Sequence, residues 1–261
     1  MTSWLLIAGD FVPRGGMDRA NHALARHLAA DNANHVHLVA HQVWPDLARS
    51  NNVTVHRVRR PLGSHLLGAP LLAAEGHRRA RDVAGRVIAN GGNAPQTGDV
   101  SWVHYVHAAY EPAYGGITTR IRGRLAHGGY VARELRALHG ARLVVCNSRR
   151  TADDVRRMDV PAERIRVVYY GSDPAAFSLV TAAERTAARA ALGWPIDRPV
   201  VLFIGALGDR RKGFDRLFDA WRQLCGDGSW DADLAVAGHG SELARWQRRA
   251  PAVLRDSPAC Q

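Results

Sequence analysis

A single lysine, Lys212, stands against thirty-four arginines in a chain of 261 residues. It lies in Gly205-Ala-Leu-Gly-Asp-Arg-Arg-Lys-Gly213, directly after the apolar run Val200–Ile204. A strand that empties into a glycine-rich basic loop and then a helix gathers free backbone N–H groups and the positive end of the helix dipole, a combination that holds phosphate. Arg210, Arg211 and Lys212 are therefore candidate ligands for a phosphoryl or diphosphoryl group. An arginine-biased composition explains the ratio of the two residue types but not the location of the one lysine.

A second turn, Gly9-Asp-Phe-Val-Pro-Arg-Gly-Gly16, follows the apolar Trp4–Ala8 and precedes a helix expected from Met17. Gly15 and Gly16 permit positive φ and close approach of a ligand to helix N–H groups. Their spacing is not G-x-G-x-x-G, so a plain turn and an anion cradle both fit. Ala237-Gly-His-Gly-Ser241 repeats the geometry, and Gly238 and Gly240 would flank the Lys212 loop if the two preceding strands pair. His104 and His107 stand at the C-terminal end of the run Val100–Val106, the edge at which open α/β sheets bind ligands. An imidazole there can orient or hydrogen-bond a substrate hydroxyl. Three-residue spacing on a strand sends the two rings to opposite faces with no carboxylate adjacent, so no metal site is expected. His35, His37 and His41 read as edge or surface residues. Ser148 reads as the cap of a helix starting at Arg149, with Arg149 and Arg150 opposing the dipole unless an anion is near.

The elements that must position these residues alternate. Short β-type runs at 4–8, 36–40, 53–58, 100–106, 142–146, 165–169, 200–204 and 234–237 are apolar on both parities and are separated by helical patterns, which predicts parallel strands covered by helices on both faces. Met17, Ala20, Leu24 and Leu28 form one helical stripe, and Phe214, Leu217, Phe218, Trp221 and Leu224 another; both read as core. Around Ala182–Leu192 a helix is expected to stop at Gly193, with Pro195 beyond. The expected organisation is a first Rossmann-like domain over 1–175, a linker over 176–198 and a partial second domain over 199–261. Only two strands are expected after Pro199, and Ala250–Gln261, with two prolines, reads as a tail. The sequence-level expectation is a second domain cut short.

Hydrophobic residues make up 46%, enough for a full core. A net charge of +11 suits polyanionic partners: phosphorylated substrates or an anionic membrane face ahead of nucleic acid, since no basic block is interleaved with aromatics. Cys146, Cys225 and Cys260 are widely spaced and read as structural thiols of a reducing compartment. No apolar run approaches the length of a membrane span. These features predict a cytoplasmic protein, at most peripheral to the inner membrane face, with no metal and no resident cofactor.

The order of motifs resembles the group 1 glycosyltransferases, family 4, of GT-B fold. The resemblance rests on Pro13-Arg-Gly-Gly16, Cys146-Asn-Ser-Arg149, Val167-Val-Tyr-Tyr-Gly-Ser-Asp173, Phe203-Ile-Gly-Ala-Leu-Gly-Asp-Arg-Arg-Lys-Gly-Phe-Asp215 and Val236-Ala-Gly-His-Gly240, and runs from Trp4 to Trp246. It implies two Rossmann-like domains and a nucleotide-diphosphate sugar donor. Gly16 would offer an amide to the donor phosphate, Lys212 would neutralise the diphosphate, and His104 or His107 would sit at a sugar. It also implies transfer with retention of anomeric configuration, with basic side chains where other transferases use a metal, to a glycan, lipid-linked or small-molecule acceptor. Two departures stand out. Ala206 occupies a position where the family usually has arginine, and after Glu184 the only glutamate is Glu242, so the family's paired donor-site glutamates lack a counterpart. The alternative reading is a non-catalytic remnant or acceptor-binding module of the same fold.

Overall fold

The structure is a computed structural model that describes residues 1–95, 98–110, 117–172, 174, 177–226 and 230–254; side chains are described for all of these except 117–122, 210 and 251–254. The chain divides into two compact units, Met1–Gly171 and Ser172–Gln261.

In the first unit the elements in chain order are β1 (Thr2–Ile7), β2 (Asp10–Phe11), α1 (Met17–Ala29), β3 (Asn34–Ala40), β4 (Gln42–Val43), α2 (Pro45–Ala48), β5 (Val53–Arg57), α3 (His65–Asp82), β6 (Arg86–Asn90), β7 (Val100–Val103), α4 (Ile117–Gly140), β8 (Leu143–Cys146), α5 (Arg149–Arg156) and β9 (Ile165–Val167). Seven strands form one parallel sheet in the order β5-β3-β1-β6-β7-β8-β9, and β2 pairs with β4 apart from it. Parity decides which layer each side chain joins. Leu6, Ala8, Val36, Leu38 and Ala40 pack with Ala25 of α1 on one face, while Leu5, Ile7, Val39 and Ala89 pack with Leu72 of α3 on the other. That two-sided burial is why these strands read as continuous apolar runs.

Strand β6 is absent from the sequence-based expectation, yet it pairs with both β1 and β7 near the centre of the sheet. Its five residues begin with an arginine and sit within an Ala/Arg-rich stretch whose composition favours helix, so local pattern hides it. The expected stripe on α1 is shifted too. Asn21, His22 and Ala25 are its buried residues, Leu24 and Leu28 are half-buried, and Met17 is exposed.

The second unit contains α6 (Ala182–Leu192), β10 (Val200–Ile204), α7 (Phe214–Gly226), β11 (Asp233–Ala237) and α8 (Leu243–Leu254). Helix α6 ends at Gly193 with φ 68°, as expected, and starts on a reciprocal cap between Thr181 and Glu184 that the sequence reading did not identify. Strands β10 and β11 pair in parallel. Phe203, Phe214, Phe218 and Trp246 form a cluster that ties β10 to α7 and α8, whereas Leu202 and Ile204, of opposite parity, are exposed. Among the described residues this sheet is thus covered on one face, not both. Helix α8 continues to Leu254, so the expected tail begins as helix. Cys146 is a buried free thiol, pushed up by burial to about 11 and so inert as a nucleophile. Cys225, expected to be a thiol, is disulfide-bonded, which removes the argument from cysteines to a reducing compartment. Cys260 lies outside the described residues. No described helix is long and apolar enough to cross a membrane.

Candidate functional site

In the first unit the strand order reverses its progression between β1 and β6, and ligands of open α/β sheets bind beyond the carboxyl ends of strands at such a point. The turn Gly9–Gly16 leaves β1, the tight turn Gly91–Asn93 leaves β6, His104 and His107 follow β7, Asn147 follows β8 and Tyr170 follows β9. The parallel register therefore lines up the sequence-derived candidates of this unit along one edge. Two buried amides join the first two turns: Asn90 Nδ2 donates to Asn21 Oδ1 at 2.8 Å, and Asn21 Nδ2 donates to the Asp10 carbonyl at 3.4 Å.

Gly15 adopts φ 72°, in the region that favours glycine, and Gly16 precedes the first turn of α1. A Cβ placed on Gly16 would meet nothing within 4 Å, so the amide end of α1 is open to an approaching group. Beside it Arg60 Nη2 donates to Asp10 Oδ1. Burial and the neighbouring Asp10 charge push Asp18 up to about 6, against the opposing pull of Arg60.

The two candidate histidines occupy different surroundings. His104 packs against Trp102 and Tyr170, with ring centroids 4.7 and 5.7 Å away. Asn147 Nδ2 donates to the His104 carbonyl at 2.8 Å and to the Tyr170 hydroxyl oxygen at 3.3 Å. His104 Nδ1 meets the Tyr170 hydroxyl, and His104 Nε2 is buried without a partner. Burial pushes His104 down to about 4, so the ring is neutral at pH 7. His107 instead meets Glu134 of α4: its backbone N–H donates to Glu134 Oε1 at 2.9 Å and its Nδ1 lies 3.1 Å from the same oxygen. His107 Nε2 lies 3.1 Å from the Tyr105 hydroxyl, and Tyr130 stacks on the ring at 5.3 Å and 18°. Sequence spacing did not reveal Glu134, which lies 27 residues from His107 and reaches it only because α4 packs against the turns that follow β6 and β7. The one local signal was a lone glutamate in an Arg/Ala/Leu-rich helix.

In the second unit the loops after β10 and β11 lie side by side, as the expected pairing requires. Leu207 N donates to the His239 carbonyl at 2.9 Å and Gly205 N to the Ala237 carbonyl at 3.1 Å. A Cβ on Gly238 would overlap the Gly205 carbonyl oxygen, and one on Gly240 that of Leu207. Close backbone packing thus accounts for both glycines. Arg211 forks onto Asp209, with Nε to Oδ1 at 2.9 Å and Nη2 to Oδ2 at 2.8 Å, and this ion pair is the main cause holding Asp209 below its ordinary value. Lys212 is exposed, and among the described residues no side-chain hydrogen bond or ion pair fixes its ammonium group. The side chain of Arg210 lies outside the described residues. Arg150, flagged for opposing the α5 dipole, is offset by Asp154 at 3.1 Å. Ser148 caps α5 as expected, accepting from Thr151 N.

A seven-stranded parallel sheet with its candidate residues along the carboxyl edge, followed by a second unit built on a smaller parallel sheet, is the GT-B arrangement of Rossmann-like folds. Residues 14–176 match Glycosyltransferase Family 4, and the chain belongs to that family. Among solved structures it is similar to WaaG, a glycosyltransferase involved in lipopolysaccharide biosynthesis, with a TM-score of 0.72 and 18% identity over 99% of this chain and 69% of that one. It is similar to sucrose-phosphate synthase from Thermosynechococcus elongatus, with a TM-score of 0.68 and 19% identity over 100% and 70%. HepE from Anabaena, solved in complex with UDP and glucose, aligns with a TM-score of 0.62 and 18% identity over 100% and 68%. No curated protein matches the chain significantly.

Proposed function

We propose that this protein moves a sugar, with retention of anomeric configuration, from a nucleoside diphosphate donor to a glycan, lipid-linked or small-molecule acceptor. The observation that carries the reading is His107 at the carboxyl edge of the family 4 domain, its Nδ1 turned to a buried carboxylate and its Nε2 facing a hydroxyl. With Nδ1 engaged by that carboxylate, Nε2 is left to hydrogen-bond a sugar hydroxyl, which would take the place of the Tyr105 hydroxyl. His104, with one ring nitrogen engaged and the other buried, is assigned to holding the strand ends.

In the transfer the bond from the anomeric carbon to the diphosphate breaks, its electron pair leaves with the diphosphate, and the acceptor hydroxyl gives its proton to an oxygen of the departing diphosphate as its own oxygen bonds the anomeric carbon. Negative charge grows on the leaving group, so preorganised cations lower the barrier. In the second unit Lys212 is assigned that role, with Arg210 and Arg211 beside it. Arg211 would exchange Asp209 for phosphate oxygens. In the first unit the open amides at Gly15 and Gly16 are assigned to a phosphate. Gly238 and Gly240 hold the Lys212 loop in shape and act on the nucleotide side only through it. HepE, solved in complex with UDP and with UDP-glucose, makes uridine nucleotides the first to try.

The basic charge is concentrated in the first unit, which carries 23 arginines against 13 acidic residues, whereas the second is nearly balanced with 12 basic against 11 acidic. That asymmetry favours an anionic acceptor, or an acceptor presented at an anionic membrane face, on the first unit. Purified protein mixed with radiolabelled UDP-, GDP- and ADP-sugars tests the reading. Transfer or donor hydrolysis that disappears in Lys212→Ala supports it, and the anomeric configuration of the product, read by NMR, checks retention. No turnover with any donor and acceptor would favour the non-catalytic module instead.

A further inference from the structure

Glu134 is 2% exposed, yet it is a carboxylate in the interior of the sheet edge. Such a group is costly to bury unless hydrogen bonds compensate. Three donors do so: the backbone N–H groups of His107 and Ala108 at 2.9 and 3.2 Å, and His107 Nδ1 at 3.1 Å. None of these partners is a cation of fixed charge, so the carboxylate serves the loop after β7 and not an ion pair of its own.

The backbone under Glu134 is itself held in place. Gly92, in the turn after β6, lies so close to α4 that a Cβ there would stand 3.2 Å from Glu134 N and 3.4 Å from its Cα. The ring it orients is packed on its face by Tyr130, one turn earlier on the same helix. Helix, turn and ring therefore form one unit, in which the carboxylate accepts from Nδ1, so that the singly protonated ring presents its lone pair at Nε2.

From this geometry we infer that Glu134 is a positioning residue for glycosyl transfer, fixing the tautomer and orientation of His107 so that Nε2 accepts a hydrogen bond from a sugar hydroxyl. The inference rests on the function proposed above, but its central claim is readable without turnover. His104 supplies an internal contrast, because its Nδ1 faces a hydroxyl, which can donate or accept, and not a carboxylate.

The test is long-range 1H–15N correlation of the imidazoles in protein labelled with 15N-histidine, with His107 assigned from the signals lost in His107→Asn. The expected result is an Nδ1-protonated ring at His107 in the unaltered protein and an Nε2-protonated or mixed ring in Glu134→Gln, whose amide can donate to Nδ1. Glu134→Asp should restore part of the original pattern. An Nε2-protonated ring in the unaltered protein overturns the inference at once, even if no variant folds, and so does an unchanged tautomer in a folded Glu134→Gln. Where turnover is measurable, Glu134→Gln should lower kcat on the order of 100-fold with a smaller effect on KM. That loss should vanish in a His107→Ala background, whereas a merely structural role would persist there and refute the assignment. Absence of turnover in every protein would sink the proposed function while leaving the tautomer result standing.

Discussion

Two glycine turns that look alike in sequence are expected to respond in opposite ways to the same substitution. Gly238→Ala and Gly240→Ala each place a methyl group on a carbonyl oxygen of the neighbouring loop, Gly205 and Leu207 respectively, so the loops must separate. Separation of even about 1 Å carries the bond from Leu207 N to His239 O, 2.9 Å long, and that from Gly205 N to Ala237 O, 3.1 Å, beyond hydrogen-bonding range. Each lost bond costs about 1 kcal/mol, and the displaced Leu207, 2% exposed, loses packing as well. The sum is about 2–3 kcal/mol, which for a unit of this size lowers its Tm by roughly 10 °C or more. Thermal unfolding followed by the fluorescence of Trp221, Trp230 and Trp246 would read it. Gly16→Ala meets no atom within 4 Å and has an ordinary negative φ, so it should leave Tm within about 2 °C while weakening binding of a sugar nucleotide measured by calorimetry. The reasoning fails if Gly16→Ala melts early, or if Gly238→Ala keeps its Tm and loses only nucleotide affinity.

His107→Ala should reduce transfer about 100-fold, while His104→Ala should act mainly on stability; initial rates beside urea midpoints separate the two, and equal catalytic losses would contradict the assignment. Because His104 is held down to about 4, the folded ring refuses a proton that the unfolded chain takes up near pH 6.5, so this contribution is intact above pH 6.5 and is lost as pH falls toward 4. The loss is at most about 3 kcal/mol, and His104→Phe should flatten the fall in urea midpoint across that window. Asp18 has the opposite sign. Its raised value means that stability declines as pH rises from about 4 to 6, and Asp18→Asn should gain about 1 kcal/mol at pH 7 after allowance for partial exposure, read from the same urea curves.

Strands buried on both faces were legible because the β-type runs carry apolar residues on both parities, and the parallel sheet followed from their alternation with helices. The helix boundaries at Ser148 and Gly193 were legible because capping chemistry is local. What escaped was set by tertiary context. Strand β6 has too little intrinsic β character to announce itself, and it is a strand because β1 and β7 offer hydrogen bonds on both sides. Met17 fits the apolar period of α1 but falls on its exposed first turn.

The candidate site shows the same division between local and distant information. Loops after strands can be found in sequence, and so His104, His107, Gly16 and Lys212 could be listed without coordinates. Which of two histidines three residues apart presents a lone pair depends on partners 27 and 66 residues away, Glu134 for one and Tyr170 for the other. Sequence pattern assigns both rings the same chemistry, whereas a carboxylate faces Nδ1 of His107 and a hydroxyl faces Nδ1 of His104. The distinction therefore lies in the long-range hydrogen bonds that α4 and the segment after β9 bring to the sheet edge. A substitution at Glu134 or Tyr170 should change the behaviour of its own histidine and leave the other ring as it was.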